Sequence, residues 1–69
     1  MPLTMVETGR QFTVRKIKGR DEVHVFLEGL GLVPGSAVVV VAKNPGGLIL
    51  NVKESRVALG LDMANKVLV

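Results

Sequence analysis

The 69-residue sequence contains no cysteine, no tryptophan and no tyrosine, and only two phenylalanines. Without cysteine it has no disulfide framework, no thiolate metal site and no thiol nucleophile, so its core must hold by packing alone. Phe12 and Phe26 both fall on expected core faces. No aromatic is then left to stack exposed bases or to line a groove for proline-rich peptides. No apolar run approaches the roughly 20 residues that span a bilayer. Met1-Pro2-Leu3-Thr4-Met5 lacks the charged-then-apolar order of a secretory signal, and the expectation is a cytoplasmic location. Also missing are a nucleophile elbow with Ser-His-Asp partners, a phosphate-cradling P-loop and a carboxylate pair in an evident cleft. The sequence therefore reads as non-enzymatic.

What is present is apolar and finely punctuated. Hydrophobic residues make up 48% of the chain, enough for one core in a single domain over residues 1–69. A chain this short buries only roughly 60% of its unfolded surface, which leaves little for a deep substrate cleft. Nine Lys and Arg against six Asp and Glu give a net charge of +3. The two signs interleave along most of the chain rather than forming one basic face.

Glycine and proline fall at short intervals and cut the sequence into strand-length pieces. Thr4 and Glu7 have capping-box spacing, so one helical turn is expected before Gly9. Gln11 to Lys18 reads as a strand. Phe12 and Val14 share a face, Ile17 breaks the parity, and a bulge near Arg15 and Lys16 would return Ile17 to the core. Asp21 to Leu30 reads as a helix, with Val23, Phe26, Leu27 and Leu30 as its apolar stripe. Asp21 and Glu22 suit the positive end of that helix. Gly31, Leu32 and Pro34 supply the glycine stop, the apolar contact after it and the block to continuation.

Val33-Pro34-Gly35-Ser36 fits a type II turn. Strands are expected over Ala37 to Lys43 and Leu48 to Lys53, joined through Asn44-Pro45-Gly46-Gly47. After a tight turn at Glu54-Ser55 comes a strand from Arg56 to Leu59. A helical turn over Leu61 to Asn65 and a closing strand over Val67 to Val69 complete the order. Five short strands closing on themselves leave few free edges. The predicted fold is mainly β: a small SH3-like five-stranded barrel with one inserted helix and a short helical turn before the last strand.

Three groups of residues are candidates for function. Asp21, His24 and Glu28 lie at helical spacing and have the donor types that suit ferrous iron, although a His with Glu at i+4 is more simply a solvated pair. Arg15, Lys16, Lys18 and Arg20 form a short basic run able to meet phosphates, which makes a nucleic-acid-associated barrel the alternative reading; the plain reading is a solvated face. Val38 to Val41 place valine on both faces of one strand, where a half-buried strand should alternate. With Val38 and Val40 inside, Val39 and Val41 point outward beside Ile49. Unless covered, they form a patch for a protein partner or for self-association.

Gly31-Leu32-Val33-Pro34-Gly35 after an amphipathic helix, followed by alternating Val38 and Val40, resembles the FeoA family of small ferrous-iron transport accessory proteins. Leu3 and Gly9 match that family's opening positions, and Val57-Ala58-Leu59, Ala64, Val67 and Val69 match its closing segment. A related barrel closes the C-terminal end of DtxR-type metal-dependent repressors. The resemblance implies a cytoplasmic, non-enzymatic module that works beside the cytoplasmic region of FeoB, the ferrous-iron transporter, with ferrous iron or another divalent transition metal as the ion handled. The sequence departs from the family at Glu54-Ser55, where glycine is common, and at Val39 and Val41, which are usually more polar.

Overall fold

The computed structural model describes residues Met1–Val69. A 3-10 turn (Leu3–Met5) leads into β1 (Gln11–Thr13) and β2 (Lys16–Ile17), then α1 (Asp21–Gly29), β3 (Ala37–Asn44), β4 (Gly47–Val52), β5 (Ser55–Gly60), the short helix α2 (Leu61–Ala64) and β6 (Val67–Leu68). All strand pairs are antiparallel, in a four-stranded sheet of order β1-β3-β4-β5 and a two-stranded sheet of β2 with β6. There are six strands rather than five because the expected first strand divides at Val14–Arg15. There the backbone passes from one neighbour to another: Val14 donates to the Ser36 carbonyl (2.8 Å), and Arg15 donates to that of Leu68 (2.7 Å). The break does what the expected bulge was to do, and Val14 and Ile17 are both buried.

Fifteen apolar residues form one core, among them Leu3, Val14, Leu27, Val38, Leu50 and Val67, and no polar side chain is buried with them. The ends of the chain lie together. The Met1 ammonium donates to the Val69 carbonyl (3.0 Å), Val69 N–H donates back to Met1 (2.8 Å), and Pro2 bridges Leu68.

The end of α1 follows the sequence closely. Gly31 is left-handed (φ +89°), its N–H bonds the Glu28 carbonyl, and the Leu32 N–H reaches back to Leu27, each at 2.9 Å. These two bonds are the Schellman pair. The type II turn also forms, with Gly35 at φ +94° and Ser36 N–H donating to Val33 at 2.9 Å.

Other expectations are corrected. The 3-10 turn carries no side-chain cap. The Thr4 hydroxyl instead donates to Asn65 Oδ1 (2.6 Å), and Glu7 pairs with Arg10 (3.5 Å), so there is no capping box. Phe26, expected in the core, is 49% exposed. A nine-residue helix lying on so small a barrel buries a narrow stripe, here Val23 and Leu27.

The tight turn sits one residue earlier than expected. Lys53 and Glu54 occupy it with φ of 50° and 66°, the primed geometry that favours Asn-Gly. Two side chains are thus held in the left-handed region, which costs each of them about 1 kcal/mol or more. Glu54→Gly is expected to stabilise the fold by about 0.5–1 kcal/mol, read as a raised midpoint in urea unfolding.

Candidate functional site

The outer face of the four-stranded sheet carries the candidate site, and strand register sets which residues meet there. Gln11, Val39, Asn51 and Arg56 form one row across β1, β3, β4 and β5. Arg56 Nε donates to Asn51 Oδ1 at 3.4 Å. These four side chains, with Lys53 and Glu54 from the left-handed turn, line an open cleft of about 440 Å³. The next outer row is Ala42, Ile49 and Ala58. Beside it lies a second hollow of about 240 Å³, shaped by Ile49, Ala58 and the glycines 46, 47 and 60.

The apolar patch expected from the valine run is rearranged by one extra residue. Val40 pairs with Leu50, but Ala42 pairs with Ile49, so Val41 is the inserted residue of a β-bulge. Ala42 therefore takes the place beside Ile49 that the alternation gave to Val41. Val39, Val41 and Ile49 are each half-buried rather than fully exposed. Val39 also has polar neighbours in its row on both sides.

The most exposed large apolar residues lie elsewhere, at Met5 (69%) and Val25 (68%). On α1, Glu22, Val25, Phe26 and Gly29 make the solvent stripe.

Asp21, His24 and Glu28 all belong to α1, with Asp21 and Glu28 exposed and His24 half-buried. No three His, Asp or Glu side chains in the chain come close enough to hold a metal ion, so the donor set does not fit a resident metal. Arg15, Lys16, Lys18 and Arg20 are exposed on β2 and its flanks. None of them is in an ion pair. Arg10, outside this run, pairs with Glu7 and also lies over the Phe12 ring, 5.2 Å from its centre. No helix is long and apolar enough to cross a membrane.

Comparison with known proteins places this geometry. The FeoA domain model matches residues 1–69. A crystal structure of an iron uptake regulatory protein, FeoA, is 31% identical and superposes with a TM-score of 0.91, over 97% of this chain and 91% of that one. FeoA of Stenotrophomonas maltophilia, solved in complex with zinc and described as a procaryotic SH3 domain protein and candidate ferrous iron transport activating factor, is 28% identical. Its TM-score is 0.83, over 99% of this chain and 87% of that one. A manganese-dependent transcriptional repressor shares the fold at 20% identity and a TM-score of 0.88, over 97% of this chain and 39% of the repressor. No curated protein matches the chain by sequence. The barrel is SH3-like, and the chain belongs to the FeoA family of ferrous iron transport proteins.

Proposed function

We propose that this protein is a non-enzymatic accessory factor of ferrous iron transport that acts in the cytoplasm by docking on the cytoplasmic region of a FeoB-like transporter. The family match across residues 1–69 carries this reading. The structure supports the docking part of it. With no buried polar side chain, the fold offers no desolvated acid, base or nucleophile. It does offer a broad outer sheet face where half-buried Val39, Val41 and Ile49 sit among the polar residues of the clefts. In this reading the iron is the transporter's cargo, since this chain assembles no ligand set of its own.

The test is binding to the purified cytoplasmic region of the cognate transporter. The double variant Val39→Lys, Ile49→Lys is expected to weaken that binding at least about tenfold, because two desolvated charges would oppose the contact. Unchanged affinity removes this face from the account. If the unaltered protein binds no cytoplasmic part of the transporter, the docking reading itself falls.

A further inference from the structure

β5 is the outermost strand of its sheet, and all six of its residues run without a neighbour on one side. The hairpin to β4 fixes which backbone groups are free. A two-residue loop makes Val52 and Ser55 a hydrogen-bonded pair, and antiparallel pairs alternate from there. Ser55, Val57 and Leu59 thus bond β4, and the N–H and C=O of Arg56 and Ala58 turn to the open side together with the Gly60 N–H, while the Gly60 carbonyl, at the N-cap of α2, serves that helix. None of these backbone groups enters a turn, loop or side-chain hydrogen bond. All three residues are exposed, and a Cβ added at Gly60 would meet nothing within 4 Å. Natural edge strands are usually blunted by proline, a bulge or several charges. This one has a single charge, Arg56.

Two hollows on the outer face of the sheet reach β5 at successive outer positions, the first at Arg56 and the second at Ala58. Successive outer rows, Asn51–Arg56 and Ile49–Ala58, are two residues apart, which is the repeat of side chains on one face of an extended strand. The first hollow is cationic, with Arg56 and Lys53 against the lone acid Glu54. The second is lined by Ala58, three glycines, Asn44 and the aliphatic Leu48, Ile49 and Leu59. We propose that β5 accepts an extended segment of another polypeptide as a fifth, antiparallel strand, with a carboxylate opposite Arg56 and an aliphatic side chain opposite Ala58. Main-chain bonds would hold it, and the two side chains would select it. A second copy of this chain fits less well. Its own β5 would present Arg56, Ala58 and Gly60, with no carboxylate for the first hollow and nothing larger than a methyl for the second. The inference rests on the docking reading only for where the segment comes from.

Two capped hexapeptides test it, Thr-Val-Thr-Asp-Thr-Thr and Thr-Asp-Thr-Val-Thr-Thr, titrated into the labelled full chain by NMR. In antiparallel pairing the first sets its Val opposite Ala58 and its Asp opposite Arg56. It is expected to bind with a dissociation constant of roughly 0.1–1 mM, as befits a small contact. The second is expected to bind at least about fivefold more weakly. The amides of Arg56, Ala58 and Gly60 should shift and gain exchange protection, with those of Val57 and Leu59 unchanged. Ala58→Pro removes one outward N–H that the fold does not use, and is expected to lower affinity at least about tenfold. Should that variant not fold, the amide pattern in the unaltered protein decides alone.

Absence of binding, equal or reversed preference between the peptides, or shifts at Val57 and Leu59 instead would overturn the proposal. So would the same protection pattern arising with protein concentration alone, since the occupant would then be a second copy. Peptide failure with transporter binding intact refutes strand addition and spares the docking reading; peptide success without transporter binding does the reverse.

Discussion

Leu50→Ala is expected to remove a large share of the stability of the fold. Leu50 lies on the central strand β4, paired on both sides, with 0% of its surface exposed. Truncating a buried leucine removes its transfer free energy and leaves a cavity, together about 2–5 kcal/mol. A chain of this size has roughly 3–10 kcal/mol in total, and without cysteine it has no disulfide to make up the loss. Thermal unfolding followed by circular dichroism should show a midpoint lowered by about 10–30 °C, or no cooperative transition. Leu50→Met, which conserves volume, should cost less than about 1.5 kcal/mol. Leu61→Ala, at a residue 38% exposed, should cost less still. A Leu50→Ala protein that melted within a few degrees of the parent would mean that the core is not organised around β4 as described.

Gly47→Ala should be nearly as damaging, for a different reason. Gly47 pairs with Gly60 at one end of the β4–β5 ladder. A Cβ there would press on the Leu59 carbonyl oxygen and come within 3.1 Å of Gly60 Cα. Both contacts are backbone, so no side chain can swing aside, and the two strands would have to part. The expected cost is about 2–3 kcal/mol. The sign is the informative part. Gly47 is not in the left-handed region, and Gly→Ala in ordinary backbone stabilises by about 0.4–1 kcal/mol through the unfolded chain. Gly46→Ala, one residue earlier with nothing within 4 Å of its added Cβ, should show that small gain. Urea midpoints of the two variants should move in opposite directions.

Some elements were legible because their chemistry is local. The stop of α1 needs a glycine that can turn left-handed, an apolar residue after it and a proline beyond, and Gly31, Leu32 and Pro34 supply these within four positions. The Pro34-Gly35 turn is of the same kind. Other elements were hidden because the deciding partner is distant or the pattern has no phase. In Val38 to Val41 both parities are apolar, so a bulge at Val41 leaves no mark in the sequence. Thr4 has a plausible local partner in Glu7, yet its hydroxyl goes to Asn65, 61 residues away. Lys53 and Glu54 form a primed turn without the residues that usually announce one, so the sequence points to a turn one position later. For the candidate site, the valines and Ile49 stand out in the sequence as apolar residues on the outward parity, but whether anything covers them is not written there. The clefts and the open side of β5 follow from strand order, which no local motif encodes.

The meeting of Met1 with Val69 bears on how this barrel can be rebuilt. Anything spliced to its head and anything spliced to its tail must leave through a single doorway, so the module could be set into a loop of a host protein almost like a bead on a short stalk. For the same reason a brief linker could close the chain into a ring, and new ends could then be cut at Pro45–Gly46, on an exposed hairpin tip, without unpicking either sheet.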